Sequence, residues 1–545
     1  MNSSGMFHCG VMRARAGISC LVAAALLTSC AVGPDFHEPA PPETERYTPG
    51  PLALRTASTD TRDGQSQHLQ PGSDLPADWW TLFRSPALDA LMRQALANNP
   101  NLQATLASLR AAKEAVYAQQ AKFLPLVQAN FNPTRQQSPA VLAPPLSTGT
   151  APQTFNLYTA QVSVSYVFDV WGLNRRQVEQ LQALADVQGF QVEAAYLMLT
   201  SSLAGAVITE AALRGQIDAT NEIIGLNRKM LGILRQQFDT GYASRNDLAL
   251  QEAALAQVEA TLPPLRKALQ QNRDLIAALC GAYTSEPLRA GFKLDALQLP
   301  TDLPVSLPSQ LVAQRPDIRA AQEQLHAAGA QVGVATANML PSFSINANAG
   351  YMQTVIGQLF TPGNQFWLIG ANVAQTVFDA GNLLHTLRGA QGTYDAAAWS
   401  YRSTVVGAVQ NVADALRAIE NDADALKAAR DFQRAAKISY DLAQQQMQTG
   451  YANILVLLTA QQTYLQATIQ VVQARATRLS DTVLLFQALG GGWWNRPVPP
   501  VEKILNTDAG QSAILVDPHA PPGPLPPDTP TVAPGLFAPP PAYPH

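Results

Sequence analysis

Apolar and polar residues keep two different periods along this chain, and the switches between them mark its elements. From Leu88 to about Lys122 apolar positions recur every three to four residues, which predicts a helix. Asn99-Pro100 places a proline in a first turn, and Leu124-Pro125 is the stop. The period then falls to two: Val127, Ala129 and Phe131 alternate with Gln128, Asn130 and Asn132, as in a strand. After a loop rich in Pro, Ser, Thr and Gly a second strand follows, with Tyr158, Ala160, Val162, Val164, Tyr166 and Phe168 against Thr159, Gln161, Ser163 and Ser165. Phe343, Ile345, Ala347, Ala349 and Tyr351 against Ser342, Ser344, Asn346 and Asn348 make a third, and Phe366 to Phe378 a less regular fourth. Four strands make two hairpins.

Behind each hairpin lies a long helical run, Leu173 to Asp239 and Leu383 to Gln448, each about 100 Å at 1.5 Å per residue. In the second, Leu387, Ala390, Tyr394, Ala397, Tyr401, Val405, Ala408, Val412, Ala415, Ile419, Ala423 and Leu426 step by threes and fours averaging near 3.5, the coiled-coil period. The small residues of this seam let neighbouring helices approach closely, and Gln, Asp and Arg flank it, as in a one-layer wall wet on one side. Each run ends in Thr-Gly-Tyr, where glycine supplies a left-handed cap. Return helices are expected from about Asn246 to Leu279 and Leu455 to Leu489, the first broken by Pro263-Pro264.

These elements occur twice. Gln236 to Gly281 returns, 209 positions on, as Gln445 to Gly490; Val167-Phe168-Asp169 returns as Val377-Phe378-Asp379, and Leu124-Pro125 as Leu340-Pro341. A unit of this length is a duplicated half-domain, not a solenoid repeat. The reading is residues 79–285 as a first repeat (helix, hairpin, long helix, return helix), 286–310 as an equatorial linker packed around the helices, and 311–495 as a second repeat. Residues 496–545, rich in proline, form a disordered or extended tail.

The N-terminus changes the picture most. Arg13 and Arg15 precede an apolar run from Ala16 to Leu27 that is too short to span a bilayer, the form of a signal peptide over residues 1–29. Leu27-Thr28-Ser29-Cys30 resembles the bacterial lipobox, which implies acylation of Cys30 and, with Ala31 following, sorting to the outer membrane. Residues 30–78 are then a lipidated tether, aperiodic and rich in Pro, Thr and Gly. Of the cysteines only Cys280 also remains in the mature chain, opposite Leu489 in the repeat, which suits a small buried hydrophobe.

Charge and motifs exclude several classes. The balance of 36 Lys and Arg against 40 Asp and Glu offers no basic face for nucleic acid. No phosphate-binding, dinucleotide, zinc-protease or hydrolase motif occurs, and the 7 histidines lack metal-ligand spacing. No enzyme, metal or cofactor is expected beyond the lipid on Cys30. The strands' uncharged polar face and aromatic apolar face suit a membrane barrel. Four strands cannot close a conducting one, so several chains must share it.

Val32-Gly33-Pro34-Asp35-Phe36 after the lipobox, Trp79-Trp80, Asn98-Asn99-Pro100, Asp169-Val170-Trp171-Gly172, Phe378-Asp379-Ala380-Gly381, Ala460-Gln461 and Leu489-Gly490-Gly491-Gly492-Trp493-Trp494 together resemble the TolC-like outer-membrane efflux lipoproteins of the NodT subgroup. The resemblance implies a mainly α protein with a transmembrane β portion: a homotrimer, each chain giving four strands to a 12-stranded barrel, the helices forming an α-helical coiled-coil barrel across the periplasm. It implies the exit duct of a tripartite multidrug or small-molecule efflux system in the outer membrane, docking a periplasmic adaptor and, through it, an inner-membrane pump of the resistance-nodulation-division type. Carried over by position, the docking turns are Thr240-Gly241-Tyr242-Ala243 and Thr449-Gly450-Tyr451-Ala452. Arg245, Asp247, Asn453 and Thr459 are polar candidates at the tip aperture. Thr459 and Asn411 stand where relatives often carry Asp and Glu. Two alternatives stay open: the outer channel of a type I protein secretion system, and a non-conducting lipid-anchored coiled-coil structural protein or adhesin.

Overall fold

The computed structural model describes residues 31–42, 44, 46–50, 53–138, 153–286, 291–449 and 451–496. The signal peptide, Cys30, Gly450 and the tail from residue 497 onward lie outside them.

Two helices, α1 (Pro86–Asn98) and α2 (Pro100–Gln120), stand where one was expected. The break falls at Asn99, whose extended backbone and side chain cap α2 by accepting from Leu102 N at 3.0 Å. The hairpin β2 (Leu126–Ser138) and β3 (Gln153–Phe168) leads into α3 (Leu173–Asp239), then α4 (Arg245–Glu259) and α5 (Leu262–Leu279) return. The second half runs through α6 (Pro308–Gln314), α7 (Pro316–Ala337), β5 (Ser342–Gln353), β6 (Gln365–Ala374), α8 (Asn382–Gln448) and α9 (Ile454–Ala488). β6 ends four residues before the expected Phe378, where Gln375 turns its amide onto the Met339 and Thr376 carbonyls; Val377 and Phe378 are left 94% and 87% exposed.

The repeated Val-Phe-Asp motif has a mechanical reason. Asp169 accepts from Asn174 N (2.8 Å) and Arg175 N (3.1 Å), while Asp379 accepts from Gly381 N (2.9 Å) and Leu383 N (2.7 Å). Each carboxylate thus satisfies free donors at the start of a long helix, where negative charge is favoured. Gly172 and Gly381, at φ +78° and +89°, make the turn between strand and helix.

β2-β3-β5-β6 form one antiparallel sheet whose register keeps its two faces distinct across every pair. Val127, Val164, Ala347 and Ile369 share one face; Gln128, Ser163, Asn348 and Leu368 share the other. β2 and β6 are edges with no partner among the described residues, and the sheet does not close on itself.

Residues 31–78 are not a free tether. Over Gln67–Pro71 the chain is strapped to α9 and to the linker, where β1 (His68–Pro71) pairs in parallel with β4 (Asp302–Val305). The strap closes on Arg478, 0% exposed, which donates to the Asp63 carbonyl (2.8 Å), the Gln65 carbonyl (2.7 Å), Thr56 Oγ1 (3.1 Å) and Gln67 Oε1 (3.3 Å). Arg475 beside it bridges Asp63 (2.7 Å) and Asp295 (2.8 Å), tying strap and linker to one helix. A buried cation is tolerable only with its donors satisfied, as they are here. Cys280 is fully buried, and burial pushes its thiol up to about 11.

Candidate functional site

At the end far from the sheet, the turns between α3 and α4 and between α8 and α9 lie side by side on one apolar cluster. Leu231, Leu234, Leu248, Tyr440, Ile454, Leu457 and Leu458 form its buried centre, and Tyr440 stacks on Tyr464 with centroids 5.8 Å apart. Four helices therefore hold both turns rigidly.

The first turn is a Schellman cap. Tyr242 N donates to the Gln237 carbonyl (2.7 Å), Gly241 N to that of Phe238 (3.0 Å), and Gly241 sits at φ +82° with open space around it. Backbone conformation, not room, is what requires glycine there. In the second turn Tyr451 N donates to the Gln446 carbonyl at 2.9 Å, the same bond one repeat later. Thr240 and Thr449 turn their hydroxyls back onto the Gln236 and Gln445 carbonyls (2.9 and 3.0 Å). With those groups engaged, the turns present Tyr242 and Tyr451, 88% and 87% exposed, and the small residues Ala243 and Ala452.

The polar candidates divide. Asp247 is spent on a capping box: its carboxylate accepts from Ser244 N (3.1 Å) and its own N–H donates to Ser244 Oγ (3.1 Å). Asn453 caps α9 through Val456 N (3.2 Å), and Thr459 bonds the Leu455 carbonyl of its own helix (2.9 Å). Arg245 and Thr459 are the two of the four that are exposed without a cap role, and Thr459 has its hydroxyl engaged by its own helix. The capping partner Ser244 was absent from the sequence reading, though its spacing to Asp247 is a recognisable signal.

Two further features line the body. A cavity of about 630 Å³ opens where the Gln/Asn/Ser face of the sheet meets the helices, walled by Leu126, Ser165, Val167, Ser342 and Ala374. At the level of the strap, Asp422 of α8 faces Asp481 of α9; burial, then the hydrogen bond and charge of Asp481, push its carboxyl up to about 7 despite Arg478 nearby. No group of three or more His, Cys, Asp or Glu is placed to hold a metal among the described residues.

Comparison with known proteins gives this geometry a setting. The model of the family described as "Outer membrane efflux protein" matches residues 91–282 and 307–491. The toluene efflux pump outer membrane protein TtgC of Pseudomonas putida is 28% identical over 480 residues, 88% of this chain and 96% of that protein. The pyoverdine export outer membrane protein OpmQ of Pseudomonas aeruginosa is 28% identical over 455 residues, 82% and 94% of the two chains. Among solved structures, the outer-membrane channel OprN superposes with a TM-score of 0.75 at 25% identity, covering 85% of this chain and 100% of that one. The open state of the Neisseria gonorrhoeae MtrE channel gives 0.72 at 25% identity, covering 85% and 98%.

Proposed function

We infer the function of this chain from one premise: it belongs to the outer membrane efflux protein family. It is an outer-membrane channel, the exit duct of a tripartite efflux system completed by an adaptor and an inner-membrane pump, and it is not an enzyme. Of the readings the sequence left open, this is the one the relatives bear out.

The finer assignment is our proposal. Three copies close one barrel of twelve strands, β6 of each chain pairing with β2 of the next. The observation that carries this is the open four-stranded sheet, with both edges unpaired among the described residues and one face of β2, β3 and β5 lined by Gln, Asn, Ser and Thr over the stretch Gln128–Asn132, Thr159–Ser165 and Ser342–Asn348. A sheet with an apolar outer face and an uncharged polar inner face is at rest only in a closed ring within lipid. The lumen wall of Gln, Asn, Ser and Thr has little with which to discriminate, which leaves selection of cargo and supply of energy to the pump. That pump is of the resistance-nodulation-division type.

The adaptor docks on the paired turns Thr240–Ala243 and Thr449–Ala452, with Tyr242 and Tyr451 as the contact side chains. Exposed aromatics on a rigid, capped scaffold are good anchors, because little side-chain entropy is lost on binding. The chain is fixed to the outer membrane by acylated Cys30 as well as by its strands.

The test is single-channel conductance of the purified protein in a planar bilayer, with its mass in detergent. A trimer that conducts is the expected result. A monomer, or a trimer that never inserts, would overturn the shared barrel.

A further inference from the structure

We propose that Val32–Glu38, whose first five residues served above only as a family marker, is a clasp that holds the acylated terminus at the foot of the membrane sheet. The inference rests on the reading of Cys30 as the acylated terminus.

The segment lies along the seam of α3 and α7. Val32 N donates to the Trp171 carbonyl (3.1 Å), and Ala31 lies against Gly172, the first turn below β3. Arg176, its side chain 4% exposed, donates to the Val32 carbonyl (3.0 Å), the Gly33 carbonyl (3.3 Å) and Asp35 (2.8 Å), and holds Glu179 (2.7 Å) with its remaining arm. Phe36 stacks on His326 at 4.2 Å, and His326 is itself held between Glu179 and Glu323 (3.1 Å each). Glu38 reaches Arg319 (3.1 Å) and Gln322 (2.8 Å). Residues 33 and 36 thus oppose 333 and 326. Three extended residues span about 10 Å, as do seven residues of helix, so peptide and helix stay in step.

Glycine at 33 and 333 is what allows the approach. A Cβ on Gly33, whose φ is +101°, would lie 2.4 Å from Gly333 Cα. Arg176 then reads the peptide mainly through its backbone, as a planar guanidinium can and a lysine cannot. A loose tether would let an acylated terminus wander over the helices. With Ala31 held at Gly172, a lipid carried by the preceding residue is delivered to the leaflet at the base of the sheet, because one peptide step is short against the bilayer. Arg176 is the positioning residue of this device, acting on the anchor through the peptide.

The test uses full-length protein from outer membranes: wild type, Arg176→Met, Arg176→Lys and Gly33→Val. Mass spectrometry of the N-terminal peptide reports acylation. Hydrogen exchange reports the Val32 amide, and a nitroxide at Pro34→Cys reports mobility, Cys280 being buried. The expected result is acylated Cys30 in all four proteins. In Arg176→Met and Gly33→Val, Val32 protection falls about tenfold or more and the nitroxide becomes mobile. Arg176→Lys should lie between. Wild-type protection and mobility in both variants would overturn the clasp, whatever the lipid. An unacylated wild type with a protected Val32 would instead overturn the anchoring role and the lipidation reading, leaving the peptide contact standing.

Discussion

Replacing Arg478 by Met removes four hydrogen bonds from the strap while keeping the length of the side chain. The carbonyls of Asp63 and Gln65, Thr56 Oγ1 and Gln67 Oε1 all lose their guanidinium donor. Gln67 keeps two other bonds through Nε2, to the Pro300 carbonyl (3.0 Å) and Thr482 (3.1 Å), so the main loss is at the two carbonyls. At about 1–3 kcal/mol for each buried group left unpaired, and with the cost of burying a cation refunded in part, the strap should lose about 3 kcal/mol. That is a factor of roughly one hundred in local opening. The assay is hydrogen exchange at Thr56, His68 and Leu69, whose amides bond Gln67, Thr301 and Leu54 across the strap. These should exchange about a hundredfold faster, while amides of the tip cluster around Leu457 should not change. Wild-type exchange in the variant would refute the reasoning, because the strap would then be held by β1–β4 pairing and Arg475 alone.

Asp422→Asn should alter pH dependence. A carboxyl raised from 3.8 to about 7 binds its proton more tightly in the folded chain. Wild-type stability therefore falls as pH rises from about 4 through about 7, by at most about 4 kcal/mol and, for a half-buried group, about 2 kcal/mol. Thermal melts of Asp422→Asn and wild type should agree at pH 4 and separate at pH 8, with the variant higher; parallel curves would count against the pair. Gly241→Val should weaken adaptor crosslinking and leave trimer insertion intact, since Val resists the positive φ found there; unchanged crosslinking rejects the docking assignment. Tyr242→Ala with Tyr451→Ala, which leaves both caps formed, should cost adaptor affinity about tenfold to a hundredfold in a binding titration. Ile369→Lys places a charge on the apolar face of β6 and should cost about 2–4 kcal/mol at mid-bilayer, read as lost heat-resistant trimer on a gel.

The long elements were legible because their signals are local. Leu173 and Asp239 bound α3 as the periodicity placed them, and the alternation from Val127 to Asn132 already separated the two faces that β2 shows in its pairing with β3. The helix ends were legible for the same reason, since caps depend on residues three or four apart. The strap was not. Arg478 bonds residues more than 400 positions away, and neither Thr56 nor Gln65 belongs to any periodic pattern. Arg176 and Val32 are likewise too distant in sequence for a pattern to link them. The break at Asn99 was half-visible: Pro100 was read as a first turn, but the helix before it was carried through. At the tip, Asp247 was chosen for its charge; the capping box shows that charge already engaged, a pairing that Ser244 three residues earlier could have announced.

The two strand edges left without a partner among the described residues have a genetic consequence. If three copies close one barrel, as proposed above, each chain completes its folding in company, and each ring is as sound as its worst member. A cell making equal amounts of normal chain and of a chain with a spoiled β2 or β6 edge would, under random threefold closure, hold roughly one-eighth of its rings free of the defect. Such alleles should therefore be dominant, whereas damage confined to a turn at the far end should be diluted. Edge lesions and tip lesions in one gene would segregate as different classes of mutation.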